Sequence, residues 1–157
     1  MRTMSYTAGI IGAGGIAGLG ILGLHDEADI GQKKFTASHA GGYGAVDEID
    51  LVAVADVDTD KLHRFGDAWD IPGDHRYEGH EAMLAAEDLD VVSVCSPTFL
   101  HADHVVDAVR SPANPDLIWC EKPIASSVTD AKAPKQACAE TNTQLLINHS
   151  LRFTDKM

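Results

Sequence analysis

The hexapeptide Gly12-Ala13-Gly14-Gly15-Ile16-Ala17, placed directly after the apolar stretch 6–11, constrains this chain more than any other feature. Its spacing is G-x-G-x-x-G/A, the turn that joins the first strand of a nucleotide-binding unit to the helix behind it. Each small residue has a physical task there. Gly12 permits the tight turn, Gly14 lets the backbone approach a pyrophosphate, and Ala17 lets helix and strand pack closely. Gly15 and Ile16 open the helix, whose free N–H groups and positive dipole end suit phosphate. The same sequence also fits a glycine-rich bend with no ligand, and S-adenosylmethionine-binding folds carry a similar turn.

The rest of the chain reads as alternating strands and helices. Continuous apolar runs such as 51–55 (LVAVA) and 91–95 (VVSVC) suit strands covered on both faces. Further strands are expected at 6–11, 117–120 and 144–148, with a weak one near 76–77. Helices are expected at 59–69, 80–86, 100–110 and 128–141, with a helix-like stretch at 38–46. Asp58 or Thr59 can cap the first of these, and Ser126 or Ser127 the last. The pattern predicts an α/β fold, a Rossmann-type doubly wound parallel sheet. Pro134 falls inside the last helix, where an interior proline costs about 3 kcal/mol or more and predicts a kink or an early stop.

Three further segments sit where ligands bind in such sheets, beyond the carboxyl ends of the strands. Asp56 ends the second strand, where a carboxylate can accept both ribose hydroxyls and repel a 2′-phosphate, which favours NAD over NADP. It can equally cap the following helix, as can Asp58. Gly12 and Asp56 are 44 positions apart, against roughly 20 in the usual fingerprint. An insertion near 19–37 accounts for most of the excess. Ser96-Pro97-Thr98 follows the VVSVC strand and is expected to face the cofactor, together with His101, which can also be an ordinary first-turn helix residue. Glu121-Lys122-Pro123 follows the next strand. Lys122 can hold or polarise a substrate oxygen, or pair with Glu121 in a solvated salt bridge.

Composition excludes several classes. The chain has 157 residues, one ordinary domain, with 24 acidic against 12 basic side chains and a net charge of −12. A field of that sign repels nucleic acid and anionic membranes, and it is consistent with a solvated acidic surface or a high-salt cytoplasm. Three cysteines without CxxC spacing argue for a reducing, cytoplasmic setting, with Cys95 and Cys120 as small core residues. The eight histidines show no HxxxH or HExxH pairing, so no metal site is expected. The uncharged run 8–24 is too short and too rich in glycine for a spanning helix.

Taken in order, the glycine turn, the acid after strand two, SPTFLH at 96–101 and EKP at 121–123 resemble the N-terminal domain of the Gfo/Idh/MocA family (glucose–fructose oxidoreductase, inositol dehydrogenase and MocA). The resemblance spans about 6 to 153. It implies a Rossmann domain binding NAD(P) and a reversible oxidation of a sugar, polyol or related hydroxyl compound. It also implies that Lys122 is the catalytic residue at the nicotinamide and substrate. Glu121 and Pro123 would shape its loop, with Glu121 on the cofactor side. Asn148, Arg152 and Phe153 resemble the passage into the family's second domain, so 1–150 is expected to be the dinucleotide-binding domain and 151–157 the start of a crossover. That second domain, with its substrate sheet and oligomer contacts, has no counterpart here, which implies a truncated chain that is inactive alone. The other reading is a stand-alone dinucleotide-binding module or sensor acting with a partner subunit.

Overall fold

A computed structural model describes residues 5–20 and 38–149. Six strands form one wholly parallel sheet: β1 (Tyr6–Ile11), β2 (Ile49–Ala55), β3 (Arg76–Tyr77), β4 (Val91–Val94), β5 (Leu117–Glu121) and β6 (Gln144–Asn148). Their order is β3-β2-β1-β4-β5-β6, so the winding reverses between β1 and β4. That reversal opens the crevice in which doubly wound sheets take their ligands. The expected fold class is the one observed.

Five α-helices cover the two faces: α1 (His39–Gly44), α2 (Thr59–Ala68), α3 (His80–Ala86), α4 (His101–Arg110) and α5 (Lys132–Thr141). Alternation along the strands divides the core. Val92, Val94, Ile118 and Cys120 pack with Met83, Val105 and Ala137 on the side of α3, α4 and α5. Ile10, Val54 and Val91 pack with Ala40, Tyr43, Leu62 and Phe65 on the side of α1 and α2. Cys95 and Cys120 are both buried, and burial raises both thiols, Cys120 to about 12. They are core residues, as the sequence suggested.

Asp58 caps α2 by accepting the Lys61 N–H at 3.1 Å. The last helix differs from expectation. Ser127 does not cap it but closes a preceding turn, accepting the Asp130 N–H at 3.1 Å, and α5 begins only at Lys132. Pro134 therefore lies in the first turn, where a missing N–H has no intrahelical partner to lose, and no kink or early stop results. The expected insertion at 19–37 lies outside the described residues apart from 19 and 20, as does the crossover at 151–157. Among the described residues no helix is long and apolar enough to cross a membrane.

Candidate functional site

The segments singled out in the sequence converge on one edge of the sheet. Gly12 follows β1, Asp56 follows β2, Ser96 lies just past β4, Glu121 ends β5 and Asn148 ends β6. Parallel strands make this unavoidable, because every strand end of the same kind faces the same way.

At the reversal point the backbone is crowded. Gly12 adopts φ +95°, a left-handed conformation that L side chains rarely take, and its N–H donates to Ala55 O at 2.8 Å. A Cβ on Gly12 would lie 2.7 Å from Ser96 N and 2.8 Å from the Cys95 carbonyl carbon. Gly14 is the opposite case, for a Cβ there would meet nothing within 4 Å. The two glycines thus have separate reasons: the first is needed by the fold, and the second leaves a space above the turn. Gly15 and Ile16 begin a single wide turn spanning Gly15–Leu19, and Ala17 is fully buried against Ile10 and Val54.

Asp56 locks this turn. Its Oδ2 accepts the Ala13 N–H at 2.7 Å and its Oδ1 accepts the Asp58 N–H at 2.8 Å. It is Asp58, not Asp56, whose side chain caps α2. Beside Asp56 opens a cavity with walls from Ile11, Val57, Pro97 and Leu100 and polar groups from Glu78, Ser96 and His104. Val57 is 87% exposed, an apolar surface offered at the rim. Ser96 Oγ lies 2.8 Å from His104 Nδ1, and burial together with neighbouring His80 holds His104 below the usual imidazole range. His80, Glu81 and Asp107 bring their ligand-type atoms within 4.8 Å of one another, with the two His80 ring nitrogens 3.3 Å from Glu81 and 2.9 Å from Asp107. The spacing along the chain gave no hint of this trio, because Asp107 comes from a different helix.

His101 does not line the cavity. Its ring is buried, with Nε2 2.7 Å from Ser96 O and Nδ1 2.6 Å from Pro123 O. The structure therefore gives it a position between two turns, where the sequence offered it to the cofactor. Pro97 and Thr98 begin the short helical turn Thr98–Leu100 that leads into α4, and Pro97 lines the cavity.

Lys122 is exposed at the end of β5, with no ion-pair partner among the described residues, and its peptide bond to Pro123 is cis. Glu121 does not pair with it across solvent, as the sequence had allowed. The carboxylate turns inward instead. Oε1 accepts from Asn148 Nδ2 at 2.5 Å and lies 3.0 Å from His39 Nε2, while Oε2 accepts the Lys122 N–H at 3.3 Å. Burial alone would raise this carboxyl, but the hydrogen bonds from His39 and Asn148 outweigh it and hold Glu121 below its ordinary value of 4.5.

Behind Glu121 the polar contacts continue. His39 Nδ1 is 2.8 Å from Ser93 Oγ, which is 2.6 Å from Tyr43 Oη. The His39 ring lies against Trp119, with centroids 4.0 Å apart. Sequence reasoning missed His39, Tyr43 and Ser93. The available signals were weak: a serine within an apolar strand, and a histidine and tyrosine four residues apart on one helical face.

A family model described as an oxidoreductase family with an NAD-binding Rossmann fold matches residues 6–149. The D-apiose dehydrogenase of Paraburkholderia graminis is 29% identical over 124 residues, which are 79% of this chain and 32% of that protein. The inositol 2-dehydrogenase of Rhizobium meliloti is 27% identical, over 79% of this chain and 36% of its own. Among solved structures, a scyllo-inositol dehydrogenase from Lactobacillus casei with bound NAD(H) and scyllo-inositol superposes with a TM-score of 0.74 at 22% identity, covering 96% of this chain and 38% of that one. The chain thus spans about a third of the length of these relatives.

Proposed function

This chain belongs to the Gfo/Idh/MocA oxidoreductase family with its NAD-binding Rossmann fold, and from that premise we propose that its described residues form the cofactor half of an enzyme that moves a hydride between nicotinamide and a sugar, polyol or related hydroxyl compound. The observation that carries this reading is the open space over Gly14, set in a turn that Asp56 holds by the Ala13 N–H. The residues fit a dinucleotide. When bound, the nicotinamide supplies the carbon that takes or gives the hydride.

The chain's own groups supply position and charge. The N–H groups opening the Gly15–Leu19 turn would hold a pyrophosphate, which the missing side chain of Gly14 leaves room to approach. Asp56 accepts from the ribose hydroxyls and, with Glu78 at the same cavity, repels a 2′-phosphate. The apolar walls at Val57, Pro97 and Leu100 suit a flat base. Lys122 orients a substrate oxygen from the end of β5 by its ammonium charge. The relatives' greater length supports placing the remaining substrate-side groups outside 6–149, so these 157 residues are expected to bind cofactor without turning it over.

Calorimetric titration with NAD tests the reading. Gly14→Val is expected to fold normally and to bind NAD at least about a hundredfold more weakly, since a branched side chain fills the space needed for close phosphate approach. Equal NAD affinity in this variant would remove the glycine turn from the site. Asp56→Asn keeps an acceptor for the Ala13 N–H but loses the charge. It should weaken NAD about tenfold, as the loss of one charge-assisted hydrogen bond does, and bring NADP affinity close to that of NAD. An unchanged preference between the two dinucleotides would assign Asp56 to the turn alone.

A further inference from the structure

The polar chain behind Glu121 has a direction. A carboxylate only accepts, so His39 Nε2 must carry the proton in its 3.0 Å contact with Glu121. In the ring with one proton, Nδ1 then accepts from the Ser93 hydroxyl at 2.8 Å, and Ser93 Oγ in turn accepts from the Tyr43 hydroxyl at 2.6 Å. In that single-proton form the chain runs in one direction, from the Tyr43 hydroxyl through Ser93 and His39 to Glu121. All of these side chains are at least nine-tenths buried apart from Asn148, which donates to the same Glu121 oxygen.

The arrangement is too specific for filler in a core. Apolar residues of similar size would pack α1 on the sheet without any need for hydrogen-bond order. What the chain does is fix a single carboxylate at the end of β5, and the other oxygen of that carboxylate holds the Lys122 N–H at 3.3 Å. His39 reaches it from a helix 82 positions earlier in sequence.

We propose that His39, oriented by Ser93 and Tyr43, is a positioning residue for the Glu121-Lys122-Pro123 turn, setting where the Lys122 ammonium stands relative to the nicotinamide half of the cofactor. The inference rests on the reading that places Lys122 at that half. His39 is buried behind Glu121 and acts through it. Its effect is therefore confined to one end of the dinucleotide, which separates it from a general role in stability.

The experiment compares NADH with ADP-ribose, which lacks the nicotinamide ring, by calorimetry on the full chain. His39→Leu is expected to weaken NADH about tenfold, the cost of one buried hydrogen bond to a charged group, while leaving ADP-ribose unchanged. His39→Gln offers an amide N–H to Glu121 and should recover most of the NADH affinity. Ser93→Ala removes only the orienting hydroxyl and should lower the ratio of the two affinities in the same direction by a smaller factor; it carries the test if His39→Leu does not fold. A ratio equal to that of the unaltered chain in these variants, whether both affinities hold or both fall together, overturns the proposal. Lys122→Met distinguishes the two levels. If it lowers the ratio and the His39 variants do not, the positioning role fails alone; if it leaves the ratio unchanged, the placement of Lys122 fails and takes this proposal with it.

Discussion

Gly12→Ala is expected to abolish NAD binding and to destabilise the chain by about 2–6 kcal/mol, from a strained left-handed backbone and from overpacking against its neighbours. The neighbours are what make the effect large. A Cβ here would face Ser96 N at 2.7 Å and Cys95 O at 2.9 Å, which are backbone atoms fixed by the sheet rather than the ends of flexible side chains. Relief would require β1 and β4 to separate at the point where Cys95 N–H donates to Ile11 O at 2.8 Å. Typical domains have about 5–15 kcal/mol in total, so the variant should be partly unfolded at room temperature. Urea denaturation followed by circular dichroism measures this directly. A midpoint within error of the unaltered chain would mean that the crowding at the reversal point relaxes freely. The contrast with Gly14, where substitution should cost binding but not stability, makes the two glycines a matched pair.

Glu121→Leu should be nearly as damaging, and for a different reason. The apolar side chain fits the strand but leaves His39 Nε2 and Asn148 Nδ2 without their shared acceptor. The orphaned buried donor of His39 costs about 1–3 kcal/mol, and the half-buried Asn148 amide adds less because water can reach it. Glu121→Gln retains an acceptor oxygen and should lose less. Acid gives an independent check. Because the folded state holds the Glu121 carboxyl below its ordinary value of 4.5, the stability it contributes is fully present above that value and is lost as pH falls through the lower folded one. The gap in urea midpoint between the unaltered chain and Glu121→Leu should therefore narrow between about pH 7 and about pH 3. A gap that stays constant would show that the carboxylate's charge contributes nothing to the fold.

The fold was legible because its signals are local. A buried parallel strand announces itself as a continuous apolar run, and β4, buried at every residue, occupies Val91–Val94 within the marked run 91–95. The glycine turn was legible because one position needs a conformation that only glycine adopts readily. The inner part of the site was not. Ser93 is one polar residue in an apolar strand, and its meaning appears only when strand alternation points it at α1, 54 positions away from His39. Glu121 and Lys122 are adjacent in sequence and invited a mutual pairing, yet alternation at the end of β5 sends one inward and leaves the other outside. Pro134 is misleading in the sequence because α5 begins at Lys132, four residues later than the pattern suggests, and those four residues decide whether a proline breaks a helix or sits harmlessly in its first turn.

His101 has a mechanical consequence. One small aromatic ring is wedged between the backbone carbonyls of Ser96 and Pro123, donating to one of them with a single ring proton and to both when each nitrogen carries one, and so bridges the loop after β4 and the loop after β5. Neither loop can shift without pulling on the other. A long ligand lying across both would meet one rigid mount instead of two independent jaws. The configurational freedom surrendered when its first half lands need not be surrendered again for the second.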